Sequence, residues 1–118
     1  MISEVYIEAW DFYDSGQFND YQNAAVKTAI YKSEHSVIYP ALGLAAEAGE
    51  VANKVKKIIR DGTFDRDAIA DELGDCLWYI AALCRDLNVD LSSIADANLR
   101  KLHDRQQRGK IKGSGDKR

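Results

Sequence analysis

Two acidic pairs of identical spacing lie between Ala41 and Ala82, each embedded in alanine-rich sequence with helical periodicity. They are Glu47-Ala48-Gly49-Glu50 and Glu72-Leu73-Gly74-Asp75. Side chains three residues apart on a helix are separated by about 60°, so each segment carries its two carboxylates on one face. Two such claws turned toward each other offer four oxygen-bearing side chains to a hard divalent cation. Mg²⁺ suits this arrangement, because it keeps several waters and needs only a few protein carboxylates before it takes substrate phosphate.

The flanking sequence predicts helices on both sides of the claws. Tyr21, Ala24, Ala25, Thr28, Ala29 and Tyr31 have helical spacing from Asn19 to about Lys32, with Asn19 or Asp20 as the N-cap. The second helix is expected from Pro40, where a missing N–H costs nothing, to about Arg60, stopped by Asp61-Gly62. Its apolar face is Leu44, Ala48, Val51, Val55, Ile58 and Ile59, with Glu47, Glu50, Lys54 and Lys57 along a neighbouring stripe. Those lysines either offset the carboxylates, by ordinary i,i+4 pairing, or reach toward a phosphate. A third helix, capped by Asp65 or Asp67, extends to about Asn88 on a stripe of Ile69, Leu73, Cys76, Ile80, Leu83 or Cys84, and Leu87. Glu72, Asp75 and Tyr79 lie beside that stripe, whereas Asp71 faces water. Asp90 caps a fourth helix that ends close to Gly109. The expected fold is all-α, a four-helix bundle-like single domain over residues 1–118. Residues 1–17, with Tyr6, Trp10, Phe12 and Tyr13, are expected as a short helix or an aromatic arm, and 110–118 as a basic, glycine-containing tail.

Charge is unevenly shared. From Arg100 onward, eight lysines and arginines face two aspartates, a local balance of +6, while the first 99 residues carry −9 of a chain whose total is −3. The acidic body suits a cation and the basic tail an anion, and a nucleoside triphosphate with Mg²⁺ supplies both. Lys110, beside successive backbone N–H groups near glycine, suits phosphate oxygens, although no GxxxxGK[ST] signature is present. A solvated tail is the plainer alternative. The body's negative charge argues against nucleic acid as a partner. No apolar run approaches the ~20 residues of a membrane span and no basic segment opens the chain, so a cytoplasmic protein is expected. Cys76 and Cys84, eight residues apart on one helix, are too distant for a disulfide and read as buried thiols.

The segments Leu44-Ala45-Ala46-Glu47-Ala48-Gly49-Glu50-Val51 and Asp71-Glu72-Leu73-Gly74-Asp75-Cys76-Leu77-Trp78-Tyr79 resemble the MazG-like nucleotide pyrophosphohydrolases. The resemblance runs from about Tyr21 to the C-terminus and includes Asn98-Leu99-Arg100-Lys101-Leu102 and the ending Arg108 to Asp116. That family belongs to the all-α NTP pyrophosphatases, with the dimeric dUTPases and phosphoribosyl-ATP pyrophosphohydrolases. The resemblance implies cleavage of a nucleoside triphosphate between its α and β phosphates, with Glu47, Glu50, Glu72 and Asp75 binding Mg²⁺, for which Mn²⁺ could substitute. It also implies that Tyr79 and Asn98 contact the nucleoside and that Lys101 and Arg105 face the phosphates. Ala46 departs from the family pattern, where many members have a further glutamate, at a position not needed for metal ligation.

No covalent nucleophile accompanies the acids. His35 and His103 stand outside the cluster and read as surface residues, so a metal-activated water is the economical attacking group. Neither histidine follows a glutamate at the Glu-x-x-His spacing of di-iron bundles. A non-catalytic bundle that binds nucleotide, metal or a partner protein is the alternative function. A subunit this small buries four amphipathic faces poorly. With this, the family resemblance implies a homodimer or homotetramer, with Trp10, Trp78 and the aromatic arm as interface candidates and Trp78 equally a candidate for the core.

Overall fold

The computed structural model describes residues 16–118. Among them are four α-helices and no strand: α1 (Gly16–Val26), α2 (Ile38–Asp61), α3 (Arg66–Asp86) and α4 (Leu91–Gln107), with a short 3₁₀ turn at Ser33–His35. The all-α expectation holds. The arm residues Tyr6, Trp10, Phe12 and Tyr13 lie outside the described residues, and Gly16 and Gln17 already belong to α1.

The core is small and lies between α1, α3 and α4. Ala25, Ala81, Cys84 and Leu91 form it, with Phe18, Tyr21, Trp78 and Ile80 packed around. Small side chains at Ala25 and Ala81 bring the backbones of α1 and α3 close. The gap is bridged by Trp78, whose indole N–H donates to the Thr28 hydroxyl at 2.8 Å and the Ala25 carbonyl at 3.2 Å. Trp78 is thus turned against α1. Cys84 is buried and Cys76 half-buried, both as free thiols.

α1 ends earlier than expected, at Val26. The Thr28 hydroxyl donates to the Ala25 carbonyl at 2.7 Å. Tyr31, read as a helical position, instead sits in the loop, where its hydroxyl donates to Asp86 at 2.7 Å. Nor does Asn19 cap α1. Its side chain accepts from the Ser92 N–H at 3.0 Å, and its own N–H donates to the Ser92 hydroxyl at 3.1 Å. Buried Gln22 accepts from the Leu91 N–H at 2.9 Å and donates to the Ala81 and Val89 carbonyls. The N–H groups of Leu91 and Ser92, the first two of α4, are therefore satisfied from α1. Asp90, in the N-cap position, makes no side-chain cap bond, a correction to its expected role.

α2 begins two residues before Pro40, which still falls in the first turn where an N–H has no helical partner. Gly62, at φ 69°, closes it by donating to Ile58 at 2.9 Å. Asp65 caps α3, accepting from the Ala68 N–H at 3.0 Å. α2 packs chiefly against α3, so its expected apolar face is only partly covered. Leu44, Val51 and Ile58 are half-buried, but Ala48, Val55 and Ile59 are exposed, as are Leu73 and Leu87 of the α3 stripe. Each helix repeats every 3.6 residues, but one neighbour covers only part of its apolar arc. No described helix is long and apolar enough to cross a membrane.

Candidate functional site

The acidic claws meet where α2 runs along α3. Glu47 from α2 and Glu72 and Asp75 from α3 each bring one carboxylate oxygen within 4.8 Å of the other two. Glu47 and Glu72 are half-buried and Asp75 is exposed. Glu50, expected as the fourth member, is exposed and stands outside this trio, although its charge still bears on Glu47. Asp71 faces solvent, as its helical position dictates.

Carboxylates this close repel one another, and Glu47 carries the consequence. A hydrogen bond with Glu72, then loss of solvent, then the charges of Glu72, Asp75 and Glu50 push its pKa up to about 7. The donor set is all oxygen, with no thiolate or imidazole in the trio, which fits a hard divalent cation. Lys54 supplies part of the missing positive charge. Its ammonium lies 3.5 Å from Glu72, with both side chains mostly buried. The pairing runs between helices and is not the i,i+4 contact with Glu50 considered from sequence.

The elevated Glu47 pKa has a thermodynamic consequence. Folded Glu47 keeps its proton to about pH 7, whereas the ordinary value is 4.5, so the folded state binds more protons between these limits. This group therefore makes the protein less stable as pH rises through that window, and a cation held by the trio would offset the loss. The rise in unfolding temperature on replacing EDTA with Mg²⁺ should be larger at about pH 8 than at about pH 5. An equal rise at both values would place the cation elsewhere.

Aromatic rings surround the upper end of the seam. Tyr39, Gly43 and Glu47 succeed each other at i+4 along α2, opposite Tyr79 and Asp75 of α3. The Tyr79 ring lies directly over Gly43, so closely that a Cβ there would collide with it. Burial, followed by the Tyr39 hydroxyl and the charges of Glu47 and Asp75, raises the Tyr79 pKa. Tyr21 of α1 also feels Asp75, and its pKa is raised by burial and that charge. Sequence reasoning singled out Tyr79 but not Tyr39, Gly43 or Tyr21. The i+4 register of Tyr39, Gly43 and Glu47 was a visible signal for the first two, whereas Tyr21 reaches the site only through packing of α1 on α3.

The remaining candidates are not gathered at the carboxylates. Lys101 donates to Asp116 of the tail at 3.0 Å, and buried Arg105 donates to the Asp116 carbonyl at 2.5 Å and carboxylate at 3.4 Å. The Lys101 hydrogen bond and charge, with Arg105, hold the Asp116 carboxyl below the usual range. Arg118 fastens the tail further, donating to the Lys110, Ile111 and Gly115 carbonyls. The tail is folded back on α4 rather than free. Asn98 and Lys110 are exposed. His35 is exposed as expected, whereas His103 is half-buried.

The sequence pattern of the MazG nucleotide pyrophosphohydrolase domain matches residues 36–109. The chain belongs to the MazG family. The matched span holds all of α2, α3 and α4, and with them both acidic pairs. α1, with Asn19, Gln22 and Tyr21, lies outside it, as does the tail from Lys110. The Gene 37 protein of Mycobacterium phage L5 is 49% identical over 109 residues, which cover 83% of this chain and 96% of that protein. No solved structure matches at a significant level.

Proposed function

We propose that this MazG-family protein is a Mg²⁺-dependent nucleoside triphosphate pyrophosphohydrolase that converts a (d)NTP and water to a (d)NMP and pyrophosphate. The observation that carries the proposal is the meeting of Glu47, Glu72 and Asp75, from two helices, within 4.8 Å. Glu50, one turn from Glu47 and electrostatically coupled to it, is the fourth ligand we assign. These carboxylates would hold Mg²⁺ (or Mn²⁺ in its place), which would supply neutralisation of phosphate charge and a more acidic water. Glu47 or Glu50 would take the proton of the attacking water, whose oxygen would bond to the α-phosphorus as the bond from that phosphorus to the α–β bridging oxygen breaks and pyrophosphate leaves.

Lys54, whose ammonium lies 3.5 Å from Glu72, is assigned to balance charge on the phosphates as well as on the carboxylates. Tyr79 and Asn98 are assigned to the nucleoside, and Lys101, Arg105 and Lys110 to the phosphates. Lys101 and Arg105 now hold a carboxylate, the kind of anion a phosphate would replace. Exposed Leu42, Ile59, Phe64 and Leu73, more than half open to solvent, support a homodimer or homotetramer. Sedimentation as a 13.2 kDa monomer at working concentration would remove that support.

Pyrophosphate release from canonical and modified (d)NTPs, with Mg²⁺ or with EDTA, tests the activity. Metal-dependent release with one preferred base is expected. Silence across the panel from folded protein would leave a binding bundle without turnover.

A further inference from the structure

We infer that Tyr39 is the platform on which the nucleotide base stacks, so that the nucleotide lies along the α2–α3 seam with its base at the Tyr31 end. This deepens the function proposed above and presupposes that the seam binds nucleotide.

The seam is chemically graded along its length. At one end Tyr31 and Tyr39 are stacked, with ring centroids 4.7 Å apart and planes 20° from parallel. Tyr79 continues the series, 6.3 Å from Tyr39 and tilted by 48°. The carboxylate trio follows, and beyond it Lys54 and Lys57 line a cavity with Asp61, Thr63, Asp65 and Ala68 at the α2–α3 turn. Two lysines and two aspartates leave that cavity formally balanced. The aromatic and carboxylate sections thus succeed one another in the order that a base and a metal-held phosphate require. Tyr39 and Glu47 are eight residues apart on one helix stripe, about 12 Å of rise. That leaves room for a sugar and one phosphate between a stacked base and a cation at Glu47.

Tyr39 is placed there by strained and well-supported geometry. Val37 adopts φ 70°, ψ −53°, and the Ile38 N–H donates to the Ser36 carbonyl at 2.8 Å. This is a γ-turn of the positive-φ kind, costly for a β-branched residue. It persists because Asp86 accepts from the Val37 N–H at 2.9 Å and from the Tyr31 hydroxyl at 2.7 Å. Arg85 closes the arrangement, donating to Asp86 at 3.0 Å and to the Tyr31 hydroxyl at 2.9 Å. Burial alone would raise the Asp86 pKa, but these donors hold it below the usual carboxylate range. One face of Tyr39 is thereby backed by a tethered Tyr31, yet the residue remains 45% exposed. An aromatic ring held rigid and left open beside a metal-type carboxylate cluster is suited to receive another flat ring.

The test is calorimetric binding of nucleoside monophosphates and of inorganic pyrophosphate, each with Mg²⁺, to the wild type, Tyr39→Ala and Tyr39→Phe. We expect Tyr39→Ala to weaken monophosphate binding about tenfold or more while pyrophosphate binding is unchanged, and Tyr39→Phe to bind as the wild type does. In turnover, the alanine variant should raise KM far more than it lowers kcat. Equal loss of monophosphate and pyrophosphate binding, unchanged monophosphate binding, or a changed sedimentation coefficient in Tyr39→Ala would each overturn the assignment. A wild type that binds monophosphates without hydrolysing any triphosphate would defeat the enzyme proposal but leave the stacking test readable. A wild type that binds no nucleotide would defeat both.

Discussion

Asp75→Asn should lower kcat about 10²–10³-fold with saturating Mg²⁺ while making the metal-free protein slightly more stable. Both effects have one origin. Asp75 is an exposed member of a trio whose carboxylates crowd within 4.8 Å, so its charge works against the fold until a cation arrives. Its replacement by the neutral isostere removes repulsion from Glu47 and Glu72 and takes away a proposed metal ligand at the same time. An ordinary structural aspartate would show the reverse, with lost stability and little change in turnover. Asp71→Asn is the matched control, because Asp71 is exposed on the same helix but stands outside the trio. Neither its kcat nor its unfolding temperature should change appreciably. Near wild-type kcat in Asp75→Asn would refute the assignment of the carboxylates to the metal.

Gly43→Ala should destabilise the protein by about 1–3 kcal/mol, although the same change in an open helix is stabilising by roughly 1 kcal/mol. The sign is reversed because the Tyr79 ring occupies the space the new Cβ would need. Either Tyr79 swings away from α2, or α2 and α3 separate by a fraction of an ångström along the seam that holds the carboxylates. Gly49→Ala supplies the comparison within the same helix, since a Cβ there meets nothing within 4 Å. Thermal unfolding of the two variants should therefore move in opposite directions from the wild type. A Gly43→Ala protein as stable as Gly49→Ala would mean that Tyr79 is not held across α2 in solution.

The helices and the acidic claws were largely legible in the sequence. Periodicity locates α2 and α3 to within a residue or two at most ends, because their punctuation is local: Pro40, Gly62 and Asp65 each act on their own backbone. The pairing of Glu47 with Glu50, and of Glu72 with Asp75, on single faces follows from helical geometry alone. So does the water-facing position of Asp71.

What lay beyond the sequence depends on contacts between residues distant along the chain. Asp90 occupies an N-cap position and looks locally sufficient, yet Asn19 and Gln22 reach across from α1 and satisfy the N–H groups of Ser92 and Leu91 in its place. Lys101, Arg105 and the tail carry an excess of positive charge, and only folding shows that Asp116 already neutralises part of it. Glu50 shares a helix face with Glu47, but the crossing of α2 over α3 decides which carboxylates come within reach of one another. Local sequence determined the helices, their stops and the direction of each acidic claw, since those depend on backbone hydrogen bonds within a few residues. Tertiary structure alone decided which claws, caps and rings meet, because those contacts are set by how whole helices pack.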